Sequence, residues 1–155
     1  MRVAAVRTRL LLIVPIRLVL GVALLSVTFV GDAAARSLIL AFLVGAVFIA
    51  FSALVDRRSL LLRSRDVEPE PLPAGAVLDP YWRVAFPAAI PSTLGLAALS
   101  VVAIVAGEDV LAALLAGAVA GLGVAAAVGL VPLLAWERER AVRLYAGAHG
   151  RRFVD

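Results

Sequence analysis

Arg17 is the only ionisable side chain set well inside a long apolar stretch of this 155-residue chain, and its chemistry depends on where its guanidinium goes. A charge there can run back along its own stem to the nearer interface, hold a partner or a lipid headgroup through charge-assisted hydrogen bonds, or line a path for a solute. Seven residues separate it from the start of the stretch at Leu10. At about 1.5 Å per residue this is roughly 10 Å, so snorkelling is the expectation, with the other two uses open beside it.

Two hydroxyls are the next candidates. Ser92 and Thr93 follow Pro87 and Pro91 and precede Gly95 in a third apolar stretch. Proline withholds a backbone donor and frees a carbonyl, and nearby hydroxyls can then bond the backbone or, in a transporter, coordinate an ion. A kink is the plainer outcome. If the chain transports, Arg17, Ser92 and Thr93 are the residues that line its path. No Asp or Glu lies inside any of the four apolar stretches, and proton-coupled transport commonly uses one.

Other chemistry is thinly provided. Cys is absent, which removes disulfides, thiolate metal sites and thiol nucleophiles together. His149, the single histidine, stands between Gly147 and Gly150 and reads as a surface residue of the tail. The chain contains no GxSxG, HExxH, phosphate-loop or dinucleotide fingerprint. A noncatalytic protein without metal or cofactor is expected.

The elements that carry these residues follow from composition. Hydrophobic residues make up 63% of the chain and its mean hydropathy is +1.04, against an apolar share of roughly 45 to 50% in soluble domains. Runs of this length without polar alternation rule out a membrane barrel and leave helices. The fold class expected is all-α: a polytopic membrane protein, one integral domain over 1–155, with spans at 10–30, 37–55, 84–106 and 110–136. The connections are Gly31 to Arg36 and Gly107 to Asp109, short enough to force two antiparallel hairpins and hence a four-helix transmembrane bundle. The last span has 27 residues, more than a perpendicular helix needs, so tilt or overhang is expected.

Between the hairpins, 56–83 is a polar connector whose run Glu68, Pro69, Glu70, Pro71, Leu72, Pro73 predicts an extended tether. After Trp136 the charged run predicts a solvated helix through Arg143, with Glu139 placed four residues before Arg143 for a weak pair. Gly147 and Gly150 should end it and leave 151–155 frayed. A signal peptide cleaved near Ala33-Ala34-Ala35 is the competing reading of the first span; the apolar run from Leu10 to Ile16 counts against it.

All 15 basic residues are arginine, and 13 of them fall before the first span, between the second and third, or after the fourth. The positive-inside rule makes those regions and both termini cytoplasmic in a plasma or bacterial inner membrane. Tyr81, Trp82 and Trp136 fall at the same span ends, where amphipathic rings favour the interface. A net charge of +4 is thereby explained without nucleic acid. Arg57, Arg58, Arg63 and Arg65 around Leu60, Leu61 and Leu62 are candidates for anionic headgroups of the bilayer.

Small residues form two lines, Gly117 and Gly121 on the fourth span and Ser37, Ala41 and Gly45 on the second. Such lines let helices approach closely, within the bundle or against a second copy or another membrane protein. A shift of 76 residues aligns Pro15 with Pro91, Gly31 with Gly107 and Gly45 with Gly121, a weak parallel internal repeat. The functional expectation is a self-associating structural component or an accessory subunit of a membrane assembly. The alternative is a small oligomeric transporter or channel.

Overall fold

The computed structural model describes residues 2–30, 33–64, 70–78, 81–147 and 152–155; side chains at 2, 4, 9, 56–64, 81–90, 147 and 152 lie outside the described set. The chain is mostly helical: α1 (Val6–Thr28), α2 (Ala35–Ser64), α3 (Tyr81–Val105) and α4 (Asp109–Arg140). Their Leu- and Ala-rich sequences favour helix, and continuous apolar surface makes water a poor solvent for them. Among the described residues, three helices are long and apolar enough to cross a membrane, Val6–Thr28, Ala35–Val55 and Asp109–Arg140. Within α3 the described apolar run is Pro91–Val105.

α4 is the hub of the packing. It lies along α1, α2 and α3, α1 also touches α3, and α1 meets α2 only slightly although the two are consecutive. The first pair is therefore not a packed hairpin, contrary to expectation: α4 comes between its members. The cause is the lack of bulk on α4. Ala112, Ala113, Ala116, Gly117, Ala120, Gly121 and Gly123 are all buried. A methyl group added at Gly117 would strike the carbonyl of Phe42, one at Gly121 the carbonyl of Ala46, and one at Gly45 the carbonyl of Leu114. On the α1 side, a methyl on Gly21 would come within 2.9 Å of Ala116 O. Backbones this close exchange side-chain volume for dispersion contacts along their length.

The α3–α4 turn closes by a Schellman pair, Glu108 N–H to Ala103 O and Gly107 N–H to Ile104 O, with Gly107 at φ +78°. At its other end α4 stops at Arg140, three residues short of the expected Arg143. The same pair recurs there, Val142 N–H to Glu137 O and Ala141 N–H to Arg138 O, with Ala141 left-handed at φ 52°. Glu139 and Arg143 thus share no helix turn. Glu137, almost fully buried, instead accepts the Leu144 N–H at 3.0 Å and ties the helix end to the segment beyond the turn.

That segment belongs to a sheet, and the all-α expectation is corrected here. Five short strands, β1 (Arg2–Ala5), β2 (Glu70–Pro71), β3 (Val77–Leu78), β4 (Leu144–Gly147) and β5 (Arg152–Val154), pair in the order β2-β5-β4-β1-β3. β1 runs antiparallel to β4 and parallel to β3; β5 runs antiparallel to β4 and parallel to β2. Tyr145 stands opposite both Ala5 and Phe153, so their side chains share a face, and Val3, Tyr145 and Phe153 bury together against Leu72 and Ala76. The connector is thus no free tether: α2 continues to Ser64, and 70–78 is held by strand pairing and by a turn at Gly75 (φ +86°). The tail is likewise paired rather than frayed, because Phe153 has an apolar core to enter.

Two outcomes test this packing. Gly117→Ala should lower stability in detergent by about 1–3 kcal/mol through overpacking against α2, whereas Gly95→Ala, where an added methyl meets nothing, should raise it by about 0.5–1 kcal/mol; paired thermal melts read the opposite signs. The phenol of Tyr145 is pushed above its ordinary value of 10.0, first by burial and then by the Asp155 carboxylate it donates to at 3.1 Å. A raised phenol favours the neutral form in the fold, so its contribution is complete below the ordinary value and lost as pH climbs past it. Melting temperature should fall between about pH 9 and pH 11 more steeply in the wild type than in Tyr145→Phe.

Candidate functional site

Three helices deliver the polar cluster. Arg17 projects from the middle of α1, and its guanidinium turns inward rather than to the interface: the residue is 8% exposed. Nε donates to Thr93 Oγ1 at 3.0 Å, Nη2 to Ser92 Oγ at 3.3 Å, and Nη1 to the Leu122 carbonyl of α4 at 3.4 Å. The snorkelling expectation therefore fails, for a packing reason. Gly123 lies beside Leu122, and a methyl group there would sit 3.2 Å from Arg17 Cβ and 3.1 Å from Leu18 Cγ. Without a side chain at 123 the arginine stem passes over α4 and reaches the carbonyl next to it.

On α3, Thr93 is buried and its neighbour Ser92 is exposed, so the cluster has one hydroxyl toward the protein and one toward the perimeter. Both come one turn or less after Pro91, in the segment where α3 lies against α1. Arg17, Ser92 and Thr93, picked from sequence as residues that would share a path, do meet. The Leu122 carbonyl was missed. Nothing in residue type marks a backbone acceptor, although a lone Gly123 in register with Arg17 is the trace it leaves.

A second polar link holds the far end of the same pair: Ser100, fully buried, donates to the Ala112 carbonyl at 3.0 Å, α3 to α4. Of the small-residue lines, Gly117, Gly121, Ala41 and Gly45 lie between α2 and α4 of one chain, while Ser37 is exposed at the start of α2. The side chains of Arg57, Arg58 and Arg63, and all of Arg65, lie outside the described residues, as does His149. Trp136 carries the Arg140 guanidinium 4.9 Å above its ring at the sheet end of α4, a cation–π pair fitted to an interface. Among the described residues no three His, Asp or Glu side chains gather as a metal site.

The cluster can clamp helices: one guanidinium bonded to α3 and α4 joins three of the four. Comparison with protein-family models, curated proteins and solved structures finds no match.

The clamp has a thermodynamic signature. Thr93→Val removes the 3.0 Å acceptor from a charged donor and should cost about 1–3 kcal/mol. In an Arg17→Met background the same change should cost little, giving a coupling of about 0.5–3 kcal/mol in a double-mutant cycle of melts; additive losses would rule the clamp out.

Proposed function

We propose that the chain is a noncatalytic integral membrane protein, a four-helix transmembrane bundle with cytoplasmic termini, that works as a self-associating structural component or an accessory subunit of a membrane assembly. The observation that carries this reading is the state of the intramembrane polar groups. Arg17 and Thr93 bond to each other, and Ser100 to α4, so polarity within the helices acts to join them.

Strand pairing supports the four-span topology. The N-terminal strand, the connector and the C-terminal strands belong to one sheet, so the start of α1, the connector between α2 and α3, and the end of α4 lie at one end of the molecule. Each helix pair then leaves that end and returns to it. With α4 long enough to cross alone, this arrangement supports a crossing by α3 as well. The arginine bias supports a cytoplasmic position for that end.

Since the small-residue lines of α2 and α4 face each other within the chain, association would use the outward faces. α2 presents Leu40, Leu43, Val44, Val47, Phe48 and Phe51 there, all exposed. A second reading, a small oligomeric transporter, is favoured by one observation: Arg17, Ser92 and Thr93 converge from two helices. Gentle extraction followed by native mass spectrometry separates the two. A defined oligomer or a stoichiometric partner is expected, and a clean monomer without partner would overturn the assembly role. Solute flux into vesicles carrying wild type but not Arg17→Gln would replace it with transport.

A further inference from the structure

Resting on the membrane reading above and going beyond it, we propose that Arg140, held over Trp136 at the sheet end of α4, centres a surface for anionic lipid headgroups, with Arg7 of α1 serving the same layer. Four residues separate Trp136 from Arg140, so both lie on one face of the last turns of α4. The guanidinium carbon sits 4.9 Å from the ring centroid. Trp136 is half-buried and Arg140 exposed. An indole favours headgroup depth, and the ring holds the arginine one turn farther out, where lipid phosphates stand. Such a contact limits the rotamers of a long side chain before any ligand arrives, which lowers the entropy cost of binding.

The ring attracts the guanidinium through its quadrupole and consumes none of its N–H donors. Among the described residues Arg140 has no hydrogen bond and no ion pair beside that ring contact. The carboxylates closest to it along the helix are otherwise placed. Glu137 is almost fully buried and accepts the Leu144 N–H, and Glu139 is exposed and makes no ion pair among the described residues. A phosphodiester can therefore take two parallel N–H bonds from this guanidinium, the geometry that arginine offers and a point charge does not.

Arg7 reaches the same layer by packing. α1 and α4 run antiparallel, with Gly21 against Ala116 and Ala120, and Gly123 against Arg17 and Leu18. Continuing that register sets Arg7, exposed in the first turn of α1, level with about Leu133, one turn inward of Trp136. From there an arginine side chain extends outward to the headgroups. A zwitterionic lipid brings its own cation to the phosphate and an anionic lipid does not, so charge complementarity favours the anionic one.

The experiment uses the full chain in nanodiscs of phosphatidylcholine doped with phosphatidylglycerol, released and weighed by native mass spectrometry. Wild type should retain phosphatidylglycerol in preference to phosphatidylcholine. Arg140→Gln should weaken that preference about fivefold, as loss of one arginine near an anionic surface does. Trp136→Leu, which keeps the charge and removes the ring that holds it, should weaken it about twofold, and Arg7→Gln should lower it as well. Arg36→Gln is the control: the residue is exposed at the start of α2, at the end of the molecule away from the sheet, and its loss should leave the preference unchanged. Equal retention of both lipids by wild type overturns the proposal. So does a preference that Arg140→Gln leaves intact, or one that Arg36→Gln lowers as much, since net charge would then explain it. If Arg140→Gln does not fold, Trp136→Leu and Arg7→Gln decide. Failure to enter the discs overturns the membrane reading and this surface with it, whereas entry with indifferent lipid retention overturns this surface alone.

Discussion

The absence of side-chain volume on α4 is the constraint on which the rest depends. Helices in lipid have no hydrophobic drive toward one another, since a lipid tail is as apolar as leucine, so contact has to come from close packing and a few polar links. α4 supplies closeness on more than one side at once. Gly117 and Gly121 admit the backbone of α2, and Ala116, Ala120 and Gly123 admit α1 at Gly21, Arg17 and Leu18. A bulky residue at any of these positions would push one neighbour out to ordinary helix spacing. Because α4 contacts every other helix, the helices that do not touch one another are still fixed relative to each other.

The sheet repeats this arrangement outside the helices. β1 runs directly into α1, and β4 comes after α4 and the turn at Ala141, so two helices that pack antiparallel extend into two strands that pair antiparallel. Strand pairing there costs little loop entropy, because the helices have already brought the ends together. Glu137 stiffens the joint, holding the first N–H of β4 from within the last turn of α4. The connector and the tail then add at the outer edges, with Phe153 completing the small core that Val3 and Tyr145 begin.

Helices were legible in the sequence because each carries about 20 apolar residues, a signal that no local competition can hide. The sheet was not, and the reason is physical. Strands of two to four residues have no measurable period, and their partners lie up to about 150 positions away in a chain of this length. Glycines in the run from Glu108 onward could be read as packing positions, yet composition could not say which neighbour each would meet. That α4 rather than α1 would lie beside α2 depends on the facing of Gly45 and Gly117, a matter of rotation about the helix axis that apolar all-round sequences do not encode.

Arg17 shows how far a local reading carries and where packing takes over. Burying it near the centre of a span costs about 2.5–3.5 kcal/mol on insertion scales, and hydrogen bonds between membrane helices return on average about 0.6 and at most about 1.7 kcal/mol each. The bonds to Thr93, Ser92 and Leu122 offset part of that cost, and they select one arrangement of α1, α3 and α4 over its neighbours. The shift of 76 residues that aligns Pro15 with Pro91 also aligns Arg17 with Thr93, and these two side chains meet. A two-fold relation would then require α2 to lie against α3 as α1 lies against α4, and among the described residues it does not. The repeat is thus not confirmed by the packing. Matching positions on α1 and α3 face each other at Arg17, while the second and fourth helices differ in the property that organises the molecule: α4 is small enough to be surrounded, and α2, with its outward phenylalanines, is not.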